Sequence, residues 1–146
     1  MKMLIDANLV ISFLLKGKDS SDPIRLLFEL TLSSRFELVI SEDVLDEVRA
    51  KALSKPFLRD RIDPTELNWL CDLLVEQSTM IPKLSGDLES VTRDSKDDYL
   101  IAAALIGDVD ILVSGDKDLL VMRDHLDRPR IMSPADFVAE FGDPDR

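Results

Sequence analysis

Five short apolar runs, "KMLI", "FELVI", "TMIP", "DILVS" and "PRIM", are spaced along the chain, and between them lie longer segments whose apolar residues recur at helical intervals. That alternation leaves few folds open. Strands separated by helices bury both elements best when the strands pair in parallel and right-handed crossovers lay the helices over the sheet. The helical segments carry their own boundary signals. "DPIRLLFELTLSS" begins with Asp22 as a cap and Pro23 in the first turn, and sets Leu26, Leu27 and Leu30 on one face. "EDVLDEVRAKAL" repeats Val44, Leu45, Val48 and Ala52, and "PTELNWLCDLLVEQ" repeats Leu67, Leu70, Leu73 and Leu74. "SKDDYLIAAALIG" stops at Gly107, and "SPADFVAEF" starts with Ser133 as cap and Pro134 just inside. The expected fold is α/β, a three-layer arrangement with a central parallel sheet of about five strands.

Size and charge narrow the function. A chain of 146 residues that is 45% hydrophobic makes one domain with a real core. Its net charge of -11 argues against bulk attraction to polyanions, so a nucleic-acid partner has to be met by a local basic patch or by metal ions. A lone Cys71 makes no internal disulfide, and with His125 as the single histidine no Cys/His zinc site can form. The opening apolar run is broken by Asp6 and Asn8 and lacks a small-residue cleavage site, so it reads as neither a leader nor a membrane span. The expectation is a cytoplasmic protein with no membrane contact.

The break at Asp6 is itself informative. In open α/β sheets, ligands bind beyond the carboxyl ends of the strands. Asp6 falls at the end of the first strand, and Asp116 and Asp118 follow the strand "DILVS" in "SGDKD". Asp94, Asp97 and Asp98 open the helix "SKDDYLIAAAL" or precede it, and Glu47 borders the apolar face of the helix after "FELVI". Four segments can therefore converge on one carboxylate cluster. Two such charges ~4 Å apart repel by roughly 4 kcal/mol at an effective dielectric of 20, so the cluster requires cations or raised pKa values. Oxygen-only donors select Mg²⁺ or Mn²⁺, which also take phosphate oxygens of a substrate. Metal-assisted phosphodiester hydrolysis follows, and it needs no Ser, Cys or His nucleophile.

"LIDANLVISFLL", "ISEDVLDEVRAKAL", "RDSKDDYLIAAAL" and "DILVSGDKDLL", in this order and spacing, resemble the PIN domain. The likeness is greatest to the prokaryotic branch similar to VapC ribonucleases, the toxin components of toxin–antitoxin pairs. It spans residues 1–141 as a PIN-like nuclease domain, leaving 142–146 as a C-terminal tail. The resemblance implies a metal-dependent endoribonuclease acting on single-stranded RNA, a separately encoded antitoxin protein as partner, and a homodimer. It makes Asp6, Glu47, Asp97 and Asp116 the catalytic acids, with Asp6, Asp97 and Asp116 as metal ligands. The third acid can also be placed at Asp98, with Asp97 preferred. Asn8, Asp98, Ser114 and Asp118 become auxiliary, Ser114 standing where the family has Thr or Ser and able to orient a carboxylate or water.

Each residue also has a plainer role. Asp6 can cap the helix after the first strand, Ser95 with Asp98 forms a capping box, and Asp116 and Asp118 suit a turn beside Gly115. Glu47 alone is a solvated helix residue. Trp69 and Tyr99 read as packing residues and His125 as a surface one. Arg49, Lys51, Arg93, Lys96 and Lys117 lie near the acidic segments, where they either touch phosphates or simply face solvent. Two other classes fit less well. A receiver domain needs an acid at the end of a middle strand, where this chain has "VIS" and "MIP". A binding or scaffold module of the same family would not need the full set of acids, and a non-toxin RNA-processing nuclease would share it.

Overall fold

Every strand pairing in the sheet is parallel, and the strand first in sequence lies at its centre. The computed structural model describes residues 1–19, 22–83 and 95–142, the side chains of 95–98 excepted. Strand β1 (Lys2–Ile5) leads into α1 (Ala7–Lys16) and α2 (Pro23–Thr31), and β2 (Glu37–Ser41) into α3 (Glu42–Ser54), α4 (Pro56–Arg59) and α5 (Pro64–Gln77). After β3 (Ser78–Ile81), α6 (Ser95–Ile106) returns the chain to β4 (Ile111–Val113). A short α7 (Lys117–Leu120), a 3-10 turn at Val121–Asp124, β5 (Arg130–Met132) and α8 (Pro134–Phe141) complete it. The sheet order is β3-β2-β1-β4-β5. The five expected strands are present, and helices flank the sheet as the alternation requires.

The strands are apolar throughout rather than alternating, because both faces of a parallel sheet are covered. Met3, Leu4 and Ile5 of β1 and Ile111, Leu112 and Val113 of β4 are all buried. In the observed register Met3 lies opposite Ile111, Leu4 opposite Leu112 and Ile5 opposite Val113. Beyond the last strand β5, α8 folds back onto α2. Its Phe137 is fully buried, with ring centroids 5.4 Å from Phe36 and 5.0 Å from Phe141.

Most helices begin where the sequence signals a cap. Asp22, Ser41, Asp63 and Ser133 each accept a backbone N–H of the first turn on the side-chain oxygen. Three short elements were not anticipated, α4, α7 and the 3-10 turn, because a single turn offers no periodicity to read. Trp69 corrects an expectation. It is 59% exposed, since the buried stripe of α5 runs through Leu67, Leu70 and Leu74, and Trp69 falls off that stripe. Tyr99 is half-buried.

Because Phe137 is the fully buried ring that α8 contributes to the core, Phe137→Ala is expected to destabilise the protein by about 3–5 kcal/mol, the usual cost of deleting a buried phenyl ring. Urea unfolding followed by circular dichroism measures it, and a loss near zero would show α8 to be peripheral.

Candidate active site

The chain steps outward from β1 to β2 and β3, then returns to the other side of β1 to lay down β4 and β5. The order therefore reverses between β1 and β4, and a crevice opens there at the carboxyl ends of the strands. Continuing the β1/β4 register by one residue brings Asp6 beside Ser114. The ladder does continue, with the Asp6 N–H donating to the Val113 carbonyl at 3.3 Å, while on the other side of β4 the Ser114 N–H donates to the Met132 carbonyl of β5 at 2.9 Å. Topology and register alone thus bring a carboxylate and a hydroxyl from positions 108 residues apart to the switch point.

Asp6 is only 4% exposed. One carboxylate oxygen, Oδ1, accepts the Leu9 N–H at 3.0 Å, so Asp6 does cap α1. The other, Oδ2, accepts the Ser114 hydroxyl. Ser114, fully buried, in turn accepts the Asp116 N–H at 3.0 Å on its Oγ, and Asp116 caps α7 by accepting the Asp118 N–H at 2.9 Å. One hydroxyl therefore fixes both the first acid and the turn that carries the fourth. The capping role and a role in the pocket are compatible here, because each Asp6 oxygen uses one lone pair and keeps another.

Burial raises the pKa of Asp6 above the ordinary value of 3.8, and the bonds from Ser114 and Leu9 offset part of that rise. The negative charges of Glu47 and Asp116 add to it, so these two acids lie close enough to act on Asp6. Glu47 stands on α3 beside a cavity of about 140 Å³ that it lines with Asp43, Val44, Tyr99 and Leu100. That cavity brings α6 to the same rim of the sheet. Asp97 and Asp98 lie in the first turn of α6, and their side chains are outside the described residues, as is Asp94.

The auxiliary positions divide. Ser114 lies within the cluster and Asp118 in the first turn of α7. Asn8 is exposed at the start of α1 and accepts the Lys51 ammonium at 3.0 Å; that ammonium also lies 3.6 Å from Glu47 Oε1. Lys51 was read as a cation near the acids, but its bridge between α1 and α3 was not foreseen. The spacing of four residues between Glu47 and Lys51 is the signal that could have shown half of it. Cys71 is buried in α5 with its thiol pKa pushed up by burial, and His125 is exposed. A larger, mainly apolar cavity of about 370 Å³, lined in part by Phe13, Leu14, Phe28 and Trp69, contains none of the candidate acids.

The side chains that act on Asp6, Ser114 by its hydroxyl and Glu47 and Asp116 by their charges, carry oxygen atoms, the type that suits a hard divalent cation. Among the described residues no three Asp, Glu, His or Cys side chains gather closely enough to hold a metal ion by themselves. Among those residues, too, no helix is long and apolar enough to cross a membrane.

A five-stranded parallel sheet between helices, with a buried carboxylate at its switch point within reach of the charges of Glu47 and Asp116, defines a three-layer α/β/α protein. Residues 2–118 match the PIN domain, and the chain belongs to that family. No curated protein matches the sequence. Among solved structures the chain is similar to one in the crystal structure of VapBC2 from Rickettsia felis bound to a DNA fragment from their promoter, with a TM-score of 0.57 and 11% identity. The match covers 91% of this chain and 98% of that one, and at this identity it is a likeness of fold.

A buried carboxylate with a raised pKa opposes folding when it ionises. Because the folded pKa of Asp6 lies above the unfolded one, its contribution to stability is full below the unfolded value and is lost as pH rises through the folded value. In EDTA at neutral pH, Asp6→Asn is therefore expected to stabilise the protein, by about 0.5–2 kcal/mol. The gain should shrink as pH falls through the raised folded pKa of Asp6, where the carboxyl takes up its proton. Denaturant melts of both proteins across that range measure it, and a pH-independent difference would contradict the assignment.

Proposed function

We propose that the protein is a divalent-metal-dependent endoribonuclease that cleaves single-stranded RNA, and that it is the toxin of a toxin–antitoxin pair. PIN domains are generally nucleases and typically depend on divalent metal. The observation that carries the proposal is Asp6 itself: a buried carboxylate at the topological switch point, gripped by Ser114 and Leu9 and crowded by the charges of Glu47 and Asp116. Structure alone gives such a residue no stabilising purpose beyond a helix cap, which a neutral Asn or Ser would supply without the cost of burying charge.

In this reading Asp6, Asp116 and Asp97, or Asp98 in its place, hold Mg²⁺ or Mn²⁺. A divalent ion held there would supply charge to offset the scissile phosphate and a water of lowered pKa as the nucleophile. Ser114 keeps Asp6 turned into the crevice and the Asp116 turn in place. Glu47, on the facing helix, orients water and keeps the pocket negative enough to recruit the cation. With a net charge of -11 the chain has little bulk attraction for RNA, so the ion also mediates substrate binding. The VapBC2 complex supports a separately encoded antitoxin as partner, and a homodimer follows from the family likeness.

The chemistry predicts the products. Water as nucleophile leaves 5′-phosphate and 3′-hydroxyl ends, whereas attack by the RNA's own 2′-hydroxyl leaves a cyclic phosphate. Cleavage is expected to require Mg²⁺ or Mn²⁺ and to survive His125→Ala and Cys71→Ala. Asp6→Asn and Asp97→Asn should each lower the rate by about 100-fold or more, the scale on which a misplaced reacting group costs activity, with Asp98→Asn milder. Gel assays on end-labelled single-stranded RNA read all of these. Activity in EDTA would refute the metal mechanism, a dead Asp98→Asn beside an active Asp97→Asn would move the third acid, and absence of cleavage with bound metal would favour a binding module.

A further inference from the structure

Lys51 occupies an unusual place for a cation in so acidic a chain. It lies on α3 one turn after Glu47, and its ammonium reaches across to α1, where it donates to Asn8 Oδ1 at 3.0 Å while standing 3.6 Å from Glu47 Oε1. The Lys51 and Glu47 side chains are only 19% and 23% exposed, so the contact is shielded more than an ordinary surface pair. Glu47 is also one of the two acids whose charge bears on buried Asp6. The ammonium is thus tied at once to an acid of the cluster and to the helix that Asp6 caps.

We propose that Lys51 is the resident counter-ion of the acidic crevice, a positioning residue that neutralises Glu47 and anchors Asn8. The inference rests on the metal-dependent reading above and goes beyond it by giving the metal-free protein its own charge balance. A fixed positive charge at the rim has two effects of opposite sign. It stabilises the crowded carboxylates before metal binds, and it repels the incoming divalent ion. It also holds Glu47 and Asn8 in one geometry, which a surface cation contacting only the substrate would not do.

Lys51→Met removes the charge and keeps the aliphatic stem. In EDTA this variant is expected to melt lower than the parent, and in titration calorimetry to bind Mn²⁺ about fivefold more tightly, the factor suited to one part-exposed unit charge. Its Mn²⁺-induced rise in melting temperature should accordingly be larger. With RNA, kcat should fall about 10-fold while KM stays within twofold, as for loss of a residue that orients the groups around a metal. Lys51→Arg, which keeps the charge, should restore metal affinity to near the parent value. If Lys51→Met does not fold, Lys51→Gln carries the same expectation for Mn²⁺. Unchanged or weaker Mn²⁺ binding by the uncharged variants would overturn the proposal, as the loss of a merely structural ion pair lowers stability equally with and without metal. A raised KM with unchanged metal binding would overturn it too, by making Lys51 a phosphate contact. A parent protein that binds no Mn²⁺ refutes the metal-dependent reading and this inference with it, a result distinguished by appearing before any substitution is made.

Discussion

The pairing register of β1 with β4 governs the rest of the molecule. Parallel strands can slip by a residue only by turning every side chain to the opposite face. Here both strands are apolar on both faces, so facing alone does not choose the register. The polar residues just past the strand ends do, because Asp6 and Ser114 meet in the observed alignment and a slip would leave a buried carboxylate without its hydroxyl. The same alignment places the Asp116 N–H on Ser114 Oγ and thereby sets where α7 begins. The alignment of the central strands and the architecture of the crevice are one constraint.

That constraint is electrostatically expensive. Asp6 is buried at the carboxyl edge of the sheet under the charges of Glu47 and Asp116, and burial is the chief cause of its raised pKa. Local dipoles offset part of it: the Leu9 N–H at the start of α1 and the Ser114 hydroxyl. Elsewhere charges are arranged in the usual solvated manner. Arg130 pairs in bidentate fashion with Glu140, and Arg128 with Asp108 and Asp110, on the exposed surface where such pairs contribute little. The contrast separates charges placed for solubility from those held against their own preference.

Much of this was legible in the sequence, and the reasons differ by residue. The strands and the long helices could be read because caps and periodicity agree at each boundary, as with Asp22 before Pro23 and Ser133 before Pro134. Asp6 stood out as a carboxylate ending an apolar run. Ser114 was suspected only through a family likeness, since a serine after a strand is otherwise unremarkable. The bond from Lys51 to Asn8 links positions 43 residues apart on two helices, and no local pattern encodes how those helices pack. Trp69 was misjudged because helical spacing alone does not say which stripe faces inward. The segment "SGDKD" suggested a turn, yet Asp116 caps a one-turn helix, a distinction that only its backbone geometry makes.

The central strand is also made before the other four strands of its sheet. Its neighbours at the switch point arrive far apart in time: β2 after some thirty residues of further synthesis, and β4 only when most of the chain has been made. During that interval Asp6 has no Ser114 to hold it and no second strand end to face. A nascent or truncated chain that stops before residue 111 can pair β1 with β2 but has no crevice. The order of the strands therefore acts as a clock, postponing assembly of the pocket until β4 has been made.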